Sequence, residues 1–105
     1  MSEPKDFARA YVWLAQDLDA AARERRTGFS SPATRMRAFL RTHRLYVNRL
    51  HYLELMLEVA EEPLVRKLLT AAIDTTEAEV EREAKRGGVD LATVRERVRA
   101  ARADS

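Results

Sequence analysis

The sequence predicts an all-α protein with one domain over residues 1–105: an antiparallel three-helix bundle with a long central helix and a short fourth helix at the C-terminus. Three observations predict this class. A chain of 105 residues has the size of one domain. Its 3 glycines and 3 prolines lie where helices would begin or end. Between them, apolar residues recur every three or four positions, as on one face of an α-helix.

The first helix is predicted at about residues 4–26. Pro4 suits a first helical turn, and Gly28 follows the last periodic residue, as expected of a helix stop. The apolar residues that share one face of this helix are Phe7, Tyr11, Leu14, Leu18 and Ala21.

The second helix is predicted at about 32–60, because Ser31 can cap a helix whose first residue is Pro32. Nothing interrupts the periodic pattern before Pro63. Such a helix would be on the order of 40 Å long.

The third helix is predicted at about 63–86, since Gly87 and Gly88 then stop it. Asp90 can cap a short fourth helix at about 91–102. Short connections force neighbouring long helices to run antiparallel. An alternative is a hairpin of the second and third helices that completes its core only with a second copy.

The second helix carries more apolar surface than a surface helix needs. Its apolar side chains cover roughly 200° of the circumference, whereas about 100° is usual for one face. We therefore expect a homo-oligomer, most simply a two-fold dimer. The alternative is that the other helices cover this surface. The residues expected at the interface are Tyr46, Leu50, Tyr52, Leu53, Met56 and Leu57.

Positive charge is concentrated in residues 23–51, which hold eight arginines against the single acidic Glu24, although the chain has a net charge of only +2. Arg37, Arg41 and Arg44 are spaced to lie on one helix face. Such a row could follow a phosphate backbone. The alternative is that they pair with glutamates of the third helix. Those glutamates are Glu77, Glu79, Glu81 and Glu83.

Residues 84–98 resemble the helix-turn-recognition-helix unit of many bacterial repressors. The matching residues are Ala84, Gly88, Val89, Val94 and Val98. The resemblance implies that Arg95 and Arg99 lie near a DNA groove. The alternative is that the two glycines simply end the third helix.

His51, Glu54 and Glu58 are the only candidates for a metal site, and they are weak ones. Histidine and glutamate at this spacing supply ligands in di-iron bundles, but in the order Glu-x-x-His. The alternative is that they form the solvated strip of the helix. We therefore predict no metal and no cofactor.

No catalytic motif stands out, and we predict that the chain is not an enzyme. Cysteine is absent, which excludes disulfides and thiolate ligands. There is no glycine-rich phosphate loop. Neither histidine has a serine or cysteine nearby in the sequence.

These observations favour a cytoplasmic, non-enzymatic module for protein interaction or assembly, with itself and an unidentified protein as partners. The alternative is a nucleic-acid-binding accessory or regulatory protein that uses the arginine row and the C-terminal segment. No apolar stretch is long enough to cross a membrane, and the polar N-terminus does not predict a signal peptide.

Overall fold

The computed structural model describes residues 4–44 and 46–88, together with residues 92, 93, 96, 99 and 100. Over these residues the chain is helical with short turns and has no β-strand, which confirms the all-α class. The four α-helices are α1 (Pro4–Arg23), α2 (Pro32–Thr42), α3 (Tyr46–Val59) and α4 (Pro63–Gly87), and a 3-10 turn covers Gly28–Ser30.

The C-terminal segment is described only in part. The isolated residues described beyond Gly88 are helical. Most of the predicted helix at 91–102 lies outside the described residues.

α1 ends three residues earlier than predicted, because the chain turns at Arg25 rather than at Gly28. Arg25 has a φ of 53°, in the left-handed region. The N–H of Arg26 donates to the carbonyl of Ala21 at 3.0 Å, and that of Arg25 to Ala22 at 3.1 Å. This pair of bonds is a Schellman helix end, which here uses an arginine where glycine is usual.

The prediction of a single long helix at 32–60 is wrong. These residues form two helices, α2 and α3, with a break between them. His43 has φ −99° and ψ 88°, which is not helical. Arg49, buried in α3, donates from Nη1 to the carbonyls of Leu40 at 3.3 Å and His43 at 3.5 Å. These bonds satisfy carbonyls that the end of a helix leaves open. No glycine or proline marks this break in the sequence.

α3 packs mainly against α4 and α1, and α2 packs on the same two helices. Their buried side chains form one core, because each helix turns an apolar face inward. That core contains Ala15, Leu18, Met36, Phe39, Leu53, Met56, Ala60, Val65, Leu69 and Ala72. None of the described helices is both long and apolar enough to cross a membrane.

Most of the side chains predicted at a dimer interface on the second helix pack inside the single chain. Leu50, Leu53 and Met56 keep 4%, 0% and 0% of their surface exposed within the single chain. Tyr52 and Leu57 are half-buried against the same core. The physical reason is that the short α3 is covered by α1 and α4, so its apolar sides meet the protein's own helices. The side chain of Tyr46 lies outside the described residues.

Candidate functional site

Three exposed arginines lie on α2 and just beyond its end, and we call Arg37, Arg41 and Arg44 the arginine face. Arg37 and Arg41 lie one turn apart on α2, and Arg44 follows just after the helix ends. The helix begins as predicted: Pro32 is its first residue, and the Ser31 hydroxyl accepts a hydrogen bond from the N–H of Thr34 at 3.2 Å. That cap fixes where the arginine face starts.

No residue of the arginine face forms an ion pair with a carboxylate of the described residues. Arg44 donates from Nε to the carbonyl of Arg41 at 3.3 Å. Arg37 donates from Nη2 to the hydroxyl of Thr34 at 3.4 Å. These contacts are to uncharged oxygens, so among the described residues nothing neutralises the positive charge of the face.

Within the single chain, the described residues do not form the ion pairs expected between the arginine face and the glutamates of α4. The break at His43 stops α2 and α3 from forming one side of a continuous hairpin with α4. The glutamates instead take other partners: Glu79 pairs with Arg49 at 2.8 Å, Glu81 with Lys85 at 3.4 Å and Glu83 with Arg86 at 3.7 Å.

Other arginines in the same block serve the fold. Arg35 pairs with Asp17, which joins α2 to α1. Arg23 pairs with Glu61 and Glu62, each at 3.0 Å. The structure therefore distinguishes arginines that pair with carboxylates from those that have no carboxylate partner among the described residues.

Four rings gather beside the break between α2 and α3. Tyr11 of α1 stacks on Tyr52 of α3, with ring centroids 4.0 Å apart and an interplanar angle of 12°. Phe39 stacks on His43, with centroids 4.2 Å apart. Aromatic contacts of this kind stabilise beyond the area that they bury. The ring cluster therefore joins three helices at one place.

His43 is held within this cluster by both of its ring nitrogens. Nδ1 lies 3.0 Å from the carbonyl of Phe39, and Nε2 lies 3.1 Å from the Tyr11 hydroxyl. A carbonyl only accepts, so Nδ1 of the neutral ring carries the proton and Nε2 accepts from Tyr11. His43 is half-buried, although it lies between two exposed arginines, Arg41 and Arg44, in the sequence.

The pKa of Tyr11 is raised to about 12, chiefly by burial and further by the charge of Tyr52 and a hydrogen bond with it. The phenol therefore stays protonated near neutral pH and acts as a hydrogen-bond donor.

A pocket of about 230 Å³ opens at this cluster. Its walls combine aromatic rings with polar side chains at the rim. The lining residues are Tyr11, Thr42, His43, Arg44, Asn48 and Tyr52. Arg44 belongs both to the pocket and to the arginine face, so the two surfaces are continuous.

Sequence reasoning missed this pocket. Tyr11 and Tyr52 were interpreted as core or interface residues because of their helical spacing. Tyr11 and His43 are 32 residues apart, and only the tertiary fold brings them together. No local signal marks such a pair.

The weak metal candidates do not form a site. His51 is buried against Tyr52, with ring centroids 5.5 Å apart, whereas Glu54 is half-buried and Glu58 is exposed. Over the described part of the chain, no three His, Asp or Glu side chains are grouped to hold a metal ion.

The segment that resembles a helix-turn-helix begins with an ordinary helix end. Gly88 has φ 71° and ψ 17°, and its N–H bonds to the carbonyls of Ala84 and Lys85. A left-handed glycine is the usual end of an α-helix. Arg95 lies outside the described residues. Arg99 is exposed and pairs with Glu96 at 3.1 Å.

No protein-family model matches the chain, and neither a curated protein nor a solved structure is significantly similar to it. Its function is therefore argued from its own residues and geometry.

Proposed function

We propose that this protein binds nucleic acid through the phosphate backbone, with the arginine face as the contact surface. The observation that carries the proposal is that Arg37, Arg41 and Arg44 are all exposed and have no carboxylate partner among the described residues. Guanidinium groups bind phosphate oxygens by paired, charge-assisted hydrogen bonds.

The surroundings of the face strengthen this attraction. From residue 25 to residue 53 the sequence has no aspartate or glutamate, so no acidic neighbour on α2 offsets the arginines. Ala33 and Ala38 are small, exposed residues of the same helix, and they leave room for a backbone to approach. Contacts to phosphates alone carry no sequence information, so we expect little sequence preference.

The first prediction concerns the salt dependence of binding. Three phosphate contacts predict that affinity for a duplex falls roughly 40-fold between about 50 and 200 mM salt. The variant with Arg37→Gln, Arg41→Gln and Arg44→Gln should lose most of the affinity at the lower salt, together with most of its salt dependence. Fluorescence anisotropy with labelled duplex and single strand measures both.

The matched control removes three positive charges from α4 instead. Lys67→Gln, Arg82→Gln and Lys85→Gln change the net charge by the same amount at exposed positions. We expect this variant to bind nearly as well as the wild type. An equal loss of affinity in the two triple variants would mean that binding depends only on the net charge of the protein. No binding by the wild type at low salt would refute the proposal.

Self-association is a second proposal, and the exposure of Trp13 on α1 supports it. Trp13 leaves 64% of its surface in solvent. Tryptophan is enriched at interfaces and often dominates their energetics. A contact between two copies through α1 would cover it, and α3 would stay in the core of each copy.

The second prediction tests this contact by molar mass in solution. We expect the wild type to show about twice the chain mass of 12.0 kDa in sedimentation equilibrium, and Trp13→Gln to show the chain mass itself. Phe29→Gln is the control, because Phe29 is 94% exposed on the 3-10 turn. A monomeric wild type at high concentration would exclude the dimer.

A further inference from the structure

We propose that the pocket beside the arginine face takes up one unpaired nucleobase, so that the protein prefers single-stranded to duplex nucleic acid. The inference rests on the proposed function and identifies the class of nucleic acid. The pocket combines aromatic walls with Arg44 at its rim.

The size and the walls of the pocket suit a single planar ring system. At about 230 Å³ it is smaller than the roughly 300–1,000 Å³ of sites for drug-sized ligands. Tyr11, His43 and Tyr52 line the pocket. One face of each ring is covered within the cluster, so a base would contact the aromatic surface that remains. Every nucleobase has a π-face, so stacking on aromatic side chains is the usual way in which single strands are held.

The rim offers groups that match the edge of a base. The Asn48 side chain is exposed and makes no hydrogen bond to another described residue. Its amide has both donors and an acceptor, the combination that pairs with base edges. The Thr42 hydroxyl donates to the carbonyl of Ala38 at 2.9 Å and keeps its lone pairs for a base donor.

Arg44 sets the position of the neighbouring phosphate. Its Nε is engaged with the carbonyl of Arg41, while Nη1 and Nη2 bind no described residue. A base in the pocket would therefore place its own phosphate beside the guanidinium of Arg44. The strand could then continue along α2 towards Arg41 and Arg37.

This geometry separates single strands from duplexes. Bases in a duplex are stacked inside the helix, and taking one out requires breaking its pairing and its stacking. Bases in a single strand can be splayed out and stacked on aromatic side chains without that cost. The arginine face alone would not distinguish the two.

The third prediction compares a normal single strand with an abasic strand of the same length, which keeps the phosphates but has no bases. We expect the wild type to bind the normal strand about fivefold or more tightly, as for one stacked base. Asn48→Leu removes the amide and narrows the pocket without removing a charge or adding an aromatic ring, so it should reduce this difference. Thr75→Leu is the control, at an exposed position of α4.

The outcomes are distinct. Equal wild-type affinity for the normal and abasic strands would overturn the role proposed for the pocket but not that of the arginine face. This comparison does not depend on how Asn48→Leu folds. A free mononucleotide that binds as tightly as the strand would also overturn the proposal for the pocket, because the pocket would then be a site for free nucleotides. The absence of binding to any nucleic acid would instead refute the proposed function.

Discussion

Arg49 shows how one residue holds three helices in place. Its Nε donates to the Thr76 hydroxyl at 3.0 Å, and its Nη2 to Glu79 at 2.8 Å, both on α4. Its Nη1 donates to the carbonyls of Leu40 and His43 at the end of α2. The planar guanidinium presents several donors in a fixed fork, and lysine could not reach these acceptors together.

The fourth prediction follows from the buried position of Arg49. Arg49→Met removes the cation and leaves Glu79 and two helix-end carbonyls without their donors. Breaking a buried pair from one side costs about 3–5 kcal/mol, so the free energy of unfolding should fall by that order. Urea denaturation followed by circular dichroism measures it.

Arg41→Met is the control for this substitution, because Arg41 is an exposed arginine of the same basic block and has no carboxylate partner in the described part of the chain. Surface substitutions of this kind usually change stability by about 0.5 kcal/mol or less. Similar losses in both variants would mean that Arg49 has no special structural role.

At the scale of the elements, α4 is capped by a residue of another helix. Glu62 occupies the N-cap position of α4 but makes no side-chain cap bond. The buried carboxylate of Asp19 on α1 instead accepts from the N–H groups of Glu61 at 2.9 Å and Glu62 at 3.1 Å. A negative charge is favourable at the positive end of a helix. The turn between α3 and α4 is thus fastened to α1.

The fifth prediction tests this cap. Asp19→Ala leaves two N–H groups without their acceptor, so we expect the free energy of unfolding to fall by about 1–3 kcal/mol. Asp19→Asn keeps one acceptor oxygen, so its free energy of unfolding should fall by less than that of Asp19→Ala. Asp74→Ala, at an exposed position of α4, is the control and should change stability little. An Asp19→Ala variant as stable as the control would show that the turn does not depend on α1.

At the scale of the whole molecule, the packing decides which surfaces are left for partners. Leu53 and Met56 are fully buried, so the largest apolar side chains of α3 stabilise the chain itself. The arginine face and the pocket remain open next to each other on α2 and at its end. This distribution favours an anionic partner over a second copy docked on α3.

The sequence by itself determined the all-α class and most of the helix ends. Pro32 and Pro63 begin helices as predicted, and Gly88 ends α4 in the left-handed conformation. These features were predictable because capping and helical periodicity act between residues within about one or two turns of each other.

Only the tertiary structure decided the break at His43, the burial of α3 and the separation of structural from exposed arginines. The break depends on Arg49, on the next helix, and on Tyr11, 32 residues away in the sequence. Arg41 and Arg49 look alike in the sequence, yet one is exposed and the other is buried against Glu79. Such contacts are set by how helices pack, which a local pattern of residues does not record.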